Sequence, residues 1–263
     1  LSRIFDTKQS GMSHHLKVLT AAGWLGSRRE GNSIFYRRAN VADNSAQAKL
    51  QQQIFESLDQ ASVSQDVARR VAAIQAERAA TSTQFFAENA GKFREQQDLI
   101  ASFPVYGEQV AEMLGSIDLP PEASAVEVGP GEGEFLAKLS PRFASVTALD
   151  NASVMLEQAQ AFADEKGLKN IKFLLGDTQT ALRARLSVDC VVVNMVLHHT
   201  PSPADIFQDI NRLLKPGGHL IVADLCRHDQ SWAKDACGDL WQGFEPEDFT
   251  RWAAQAGLVT GQS

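Results

Sequence analysis

The chain has 263 residues, room for about two domains, with 44% hydrophobic residues and a net charge of −7. Its cysteines, Cys190, Cys226 and Cys237, form no C-x-x-C pair, which argues against a disulfide framework and against a structural zinc site. The longest apolar runs are strand-sized, which excludes a membrane helix of roughly 20 residues, and with no signal peptide at the start a reduced cytoplasm is the expected location. Charge is unevenly spread: residues 1–40 hold seven Lys/Arg against two acids, a balance of +5, while the rest holds 18 bases against 30 acids, −12. A basic module on an acidic body calls for an anionic partner for the module, the alternative being a solvated basic face. Leu1 falls inside an expected helix and Ser263 comes soon after another, so the sequence reads as part of a longer protein.

In chain order, LSRIFD (1–6) reads as a short helix with Leu1, Ile4 and Phe5 on one face, followed by a turn at Thr7. Ser10 is the expected N-cap of a second helix, GMSHHLKVLTAA, which ends at Gly23. Met12, Leu16 and Leu19 would face a core, leaving Gln9, Ser10, Ser13, His14 and Lys17 on the other side. That is helix-turn-helix geometry, in which the second helix enters the major groove. Two strands around Gly31 and Asn32 then make a hairpin whose Arg28 and Arg29 would meet phosphates.

The run QSGMSHHLKVLTAAGWLGSRREGNSIFYRR resembles the recognition helix and wing of the ArsR family of winged-helix repressors. The resemblance covers about 40 residues and implies a homodimer on palindromic operator DNA. It makes Gln9, Ser10, Ser13, His14, Lys17, Arg28 and Arg29 the candidate DNA contacts. No cysteine precedes Cys190, and adjacent His14 and His15 diverge by about 100° on a helix, so no metal site is expected. His14 reads as a DNA contact and His15 as partly packed.

Residues 44–80 contain neither Pro nor Gly. Leu50, Ile54 and Leu58 recur every four residues and, after a break near residues 62–64, Val67, Val71 and Ile74 continue the stripe. Such a seam suits either a helix packed on its own domain or a helix paired across a dimer, and the second is preferred.

From Ala123 the pattern alternates strands and helices, as in a parallel α/β sheet. The strand SAVEV enters a glycine turn, Gly129, Gly131 and Gly133, before the helix EFLAKLS. The turn lacks the G-x-G-x-x-G spacing of a dinucleotide fingerprint. The strand SVTAL ends at Asp150, 17 residues beyond Gly133, where a carboxylate can accept both hydroxyls of a ribose. IKFLL leads to Asp177, placed for an adenine amino group, and VDCVVVNMV runs into His198 and His199, beside the expected place of an acceptor. The helix ADIFQDINRLL, the turn KPGG and the strand HLIVADL follow. Cys190, inside an apolar run, reads as an inert buried thiol.

Together EVGPGEG, LD, GD, NMVLHH and LLKPGG resemble class I S-adenosylmethionine-dependent methyltransferases, nearest the small-molecule branch that includes quinone-biosynthesis enzymes. The resemblance implies an α/β Rossmann-like parallel sheet preceded by a winged helix and a helical connector, with domains at 1–40, 41–82 and 83–263. It implies S-adenosylmethionine or S-adenosylhomocysteine as ligand and no metal. Glu127, Gly129, Gly131, Gly133, Asp150, Asn151, Asp177, Thr178 and Asn194 are the candidate contacts, and Phe85, Phe86, Phe93 and Tyr106 form either a lid or core. His198 or His199 would serve as base in methyl transfer. The fusion resembles ArsR-type regulators with methyltransferase domains, some of which respond to S-adenosylhomocysteine and control the methyl cycle. The expected function is therefore a cofactor-responsive repressor. The alternatives are an active small-molecule methyltransferase with an autoregulatory DNA module, and a methyltransferase whose front module only dimerises.

Overall fold

The structure, a computed structural model, describes residues 1–30, 33–39, 45–98, 101–230 and 232–261, with the backbone alone described at 30, 33, 90, 92–98 and 235. The chain divides into two compact units, Leu1–Glu77 and Arg78–Ser263.

In the first unit, α1 (Ser2–Phe5) and α2 (Gln9–Ala21) precede the antiparallel hairpin of β1 (Leu25–Glu30) and β2 (Ser33–Arg38), in register from Leu25 opposite Arg38 to Glu30 opposite Ser33. The expected turn residues Gly31 and Asn32 lie outside the described residues. Helix α2 starts earlier than expected: Lys8, in extended conformation, is its N-cap and Ser10 lies in its first turn. Two inward expectations fail. Leu19 is 42% exposed and His15 is exposed, because the unit's small core is built on α3 (Ala46–Gln60), whose Phe55 and Ala48 are buried. Trp24 meets the Phe55 ring edge-on at 5.7 Å and the Arg38 guanidinium lies 5.0 Å from its centroid. Ser45 caps α3 by accepting from the Ala48 N–H at 3.1 Å. Leu50, Ile54 and Leu58 therefore point away from that core and stay exposed. The break expected near 62–64 falls between α3 and α4 (Gln65–Asp98), which runs well past residue 80.

The second unit holds α5 (Phe103–Gly115) and a parallel five-stranded sheet. Its strands are β3 (Ser124–Val128), β4 (Ser145–Asp150), β5 (Ile171–Leu175), β6 (Val188–Asn194) and β7 (Leu214–Ala223), in the order β5-β4-β3-β6-β7. Strand β3 is central, with near-continuous burial, as a strand covered on both faces requires. Period-two alternation sorts β6 between two cores. Cys190 and Val192 join Val110 and Leu114 of α5 and Leu136 and Leu139 of α6 (Leu136–Leu139). Val191 and Val193 join Phe207, Ile210 and Leu213 of α9 (Pro203–Leu213) on the opposite face. The remaining helices are α7 (Ser153–Glu165), α8 (Thr178–Arg183), α10 (Ala233–Cys237) and α11 (Pro246–Gln255). The helix expected over EFLAKLS shrinks to α6, since the glycine turn continues through Phe135. Cys190 is fully buried, and desolvation first, then Asp189, push its thiol up to about 12, as expected of an inert thiol. Among the described residues no helix is long and apolar enough to cross a membrane.

Candidate functional site

The chain runs outward from β3 through β4 to β5 and returns to β6 on the other side of β3. At that reversal the carboxyl ends of β3 and β6 lie side by side, the place where ligands bind on open α/β sheets. The loop after β3 begins at Gly129, whose N–H donates to the Leu149 carbonyl at 2.8 Å. A Cβ at Gly129 would come within 2.4 Å of the Val196 side chain, so the β3 and β6 loops approach as closely as glycine permits. Gly131 has open space where a Cβ would stand, which leaves the loop's backbone accessible to a ligand.

Glu127, the penultimate residue of β3, is 2% exposed, and its Oε2 has no hydrogen-bond partner among the described residues. Desolvation pushes its carboxyl up to about 8. A buried acid with an unused oxygen beside the glycine loop fits a cationic ligand group. Asp150, at the end of β4, accepts from the Ala152 N–H at 2.8 Å. Its carboxyl is pushed up to about 6, burial outweighing backbone hydrogen bonds from Ala152 and Asn151. Asn151 itself is exposed. Across the reversal, Asn194 is 7% exposed, and neither end of its amide has a partner among the described residues. Unsatisfied polar atoms of this kind are costly in a finished core and ordinary in a ligand site.

Asp177 and Thr178, which follow Gly176 after β5, sit differently. Asp177 is exposed and caps α8, its Oδ1 accepting from the Thr180 N–H and hydroxyl, each at 2.8 Å. Thr178 is buried and donates to Asp209 at 2.6 Å. Both serve α8 and α9 in the structure.

After β6, Met195 adopts φ 57, a left-handed conformation that a side chain rarely tolerates and that clusters at functional sites. This bend places a single 3-10 turn, Leu197–His199, over the strand end. The His198 and His199 rings lie 3.9 Å apart, both buried. Two carboxylates that sequence reasoning missed complete the cluster. Asp224, just past β7, lies 2.7 Å from His198 Nδ1. Asp239, after α10, lies 3.8 Å from His198 Nε2 and 3.7 Å from His199 Nδ1. Burial lowers the affinity of His198 for its proton, but Asp224 and Asp239 more than compensate and hold its pKa above the usual imidazole value. His199, desolvated and beside His198, is held well below it.

Phe85 and Phe86 connect the two sides. Both pack against Ala152 and Met155, next to Asp150, while the Phe86 ring stands edge-on to His199 at 4.9 Å and Phe85 packs on Gly238. Tyr106 instead packs edge-on to Phe103, 5.6 Å away on α5, and the Phe93 side chain lies outside those described. Of the residues singled out in the first unit, Gln9, Ser10, His14 and Lys17 are exposed along α2 and Ser13 is half-buried, while Arg28 and Arg29 sit on β1.

Residues 126–222 match the family model described as a methyltransferase domain. Over 169 residues the chain is 28% identical to a ubiquinone biosynthesis O-methyltransferase of Alkalilimnicola ehrlichii, covering 59% of this chain and 67% of that one. It is 24% identical over 139 residues to the uncharacterized methyltransferase YcgJ of Bacillus subtilis, 53% of each chain, so it spans about half the length of that relative. The fold is similar to that of geranyl diphosphate C-methyltransferase of Streptomyces coelicolor A3(2), solved with Mg2+, geranyl diphosphate and S-adenosyl-L-homocysteine. That similarity has a TM-score of 0.51 at 16% identity and covers 60% of this chain and 62% of that one. The chain thus contains a methyltransferase domain of the Rossmann-like class I fold. The matched family model begins at residue 126, so the likeness of residues 1–40 to a winged-helix regulator rests on their own motif.

Proposed function

We propose that the chain transfers the methyl group of S-adenosylmethionine to a small-molecule acceptor. The observation that carries this reading is that one end of the sheet brings together Glu127 Oε2 and the Asn194 amide, neither with a hydrogen-bond partner among the described residues, the carboxylate of Asp150 and the buried His198/His199 cluster. The bound sulfonium supplies an activated methyl group, so the task left to the protein is alignment and proton removal. Glu127 offers negative charge to a cationic end of the cofactor, the glycine loop offers backbone N–H groups, and Asp150 accepts from the ribose hydroxyls. An acceptor oxygen at the β6 end attacks the methyl carbon while the carbon–sulfur bond breaks and its electron pair stays on sulfur. The acceptor's proton leaves toward the imidazoles of His198 and His199. The similarity to a ubiquinone biosynthesis O-methyltransferase supports a small hydroxylated acceptor as the substrate class.

Asp150→Ala tests the cofactor site. Losing charge-assisted hydrogen bonds of about 1.5–3 kcal/mol each should weaken S-adenosylhomocysteine binding by about 10- to 100-fold or more in calorimetry. Wild-type affinity in this variant would sink the assignment.

A second reading is an S-adenosylhomocysteine-responsive repressor that acts as a homodimer on operator DNA. It is favoured by the exposed row Gln9, Ser10, His14 and Lys17 on α2 beside a hairpin carrying Arg28 and Arg29. In gel-shift titrations, Arg28→Ala/Arg29→Ala should lower DNA affinity on every sequence and flatten the log–log salt slope by roughly 1–2. An unchanged slope means the hairpin does not touch DNA.

A further inference from the structure

We infer that His198, His199 and Asp239 form a binding site for one divalent transition cation, with two imidazole nitrogens and one carboxylate as ligands and at least one coordination position left for an exogenous oxygen. One candidate ligand atom from each residue lies within 4.8 Å of the others, and all three residues are buried. The separations of 3.7 and 3.8 Å from Asp239 Oδ1 to the two rings are too long for hydrogen bonds, which are lost by about 3.6 Å. They are close to the edge of a coordination tetrahedron, about 3.3–3.4 Å for bonds of about 2.0–2.1 Å. Seating an ion requires the three ligand atoms, which lie within 4.8 Å of one another, to close up and His199 Nδ1 to give up its 3.4 Å contact with the Gly238 carbonyl.

The Asp239 side chain has no exposure, and neither oxygen accepts a hydrogen bond among the described residues. A carboxylate in that state needs a compensating charge. Asp224 orients the other side of the site. It takes the proton of His198 Nδ1 at 2.7 Å and is itself held by the N–H groups of Leu197 and Leu225 at 2.7 and 2.8 Å. With Nδ1 directed at Asp224, Nε2 is the His198 nitrogen that faces Asp239, the carboxylate–histidine arrangement that supports metal ligands.

The backbone also holds the two ligand segments together. The His198 carbonyl accepts from the N–H groups of Leu240 and Trp241 at 2.9 and 3.1 Å. Arg78 further braces this segment, donating to the Leu240 carbonyl at 3.3 Å and stacking on Trp241. Two imidazoles and a carboxylate suit zinc, iron(II), cobalt or nickel over magnesium. The site itself does not depend on the methyl-transfer reading; only its use does. There, with both imidazoles holding the ion instead of taking the proton, a hydroxyl of the acceptor would fill the open position and lose its proton to solvent more readily on the metal.

The test is titration of chelator-stripped protein with Co2+, followed by Zn2+. One equivalent of Co2+ should bind with the visible absorption of a low-coordinate site and be displaced by Zn2+. Asp239→Asn and His199→Gln should each lower that affinity by at least about 100-fold, and Asp224→Asn by about 10- to 100-fold. Absence of the absorption band in the wild-type chain would overturn the inference, as would superimposable wild-type and Asp239→Asn titrations. S-adenosylhomocysteine calorimetry in the presence of chelator separates the two readings. Cofactor binding without metal binding leaves the methyltransferase reading standing and removes this one, and the opposite pattern does the reverse.

Discussion

A Gly133→Ala variant is expected to lose about 2–6 kcal/mol of folding stability and, with it, most cofactor binding at 37 °C. Gly133 has φ +90, and a Cβ there would stand 3.0 Å from the Ala159 Cα and 3.2 Å from its carbonyl oxygen. Those atoms are the backbone of α7, at a position where the side chain is fully buried, so no flexible side chain can swing aside. The backbone conformation costs about 1–3 kcal/mol for a residue with a Cβ, and forcing apart a packed contact adds a similar amount. Against a total of about 5–15 kcal/mol for a domain, that brings the variant near its unfolding threshold. Gly131→Ala is the control: at φ +57 with nothing within 4 Å, it should stay folded while its methyl group enters the ligand space. Urea unfolding of both variants checks this, and a Gly133→Ala chain as stable as wild type would mean that the loop does not pack against α7 as described.

The inner strands were legible, because a strand buried on both faces must be a continuous apolar run, but the expected turn KPGG lies inside β7, which begins at Leu214, ahead of HLIVADL. SAVEV is β3, IKFLL is β5, and the turn after SAVEV carries the positive-φ glycines where the motif has them. The front module was legible as elements but not as packing. Periodicity placed Leu19 on an inward face, whereas the core lies on Phe55 of α3, a residue between the stripe positions Ile54 and Leu58. Asp177 was matched by its place after β5, yet the D-T-Q-T run around it also carries the signal of a helix N-cap, and that local use is the one seen. Asp239 was invisible for a different reason. It stands 40 residues beyond His199 in an irregular segment after a five-residue helix, and no periodicity aims an isolated aspartate. Only the backbone pairing of Leu240 and Trp241 with His198 brings it there. The two histidines could be singled out because a strand end announces itself, and the carboxylates that define their chemistry could not.

The Glu127 carboxyl gives the other large effect, through pH. In the folded chain it is held at about 8 by burial, against an ordinary 4.5. Between those values the folded chain keeps a proton that the unfolded chain has released. The stability this contributes is fully present below about pH 4.5 and is lost as pH rises through about 8. The interval corresponds to about 4–5 kcal/mol at most, a large share of a domain's margin. Glu127→Gln removes the ionisation while keeping the shape. It should therefore be more stable than wild type at pH 9 and nearly equal to it at pH 5, with urea unfolding at the two values as the measurement. The same substitution should weaken S-adenosylmethionine binding, because the ionised carboxylate is what a cationic ligand pairs with. For the same reason S-adenosylmethionine should restore wild-type stability at pH 9 and do little for the variant, since a ligand stabilises only the state it binds. A difference between wild type and Glu127→Gln that is the same at pH 5 and pH 9 would show that Glu127 does not titrate in this range.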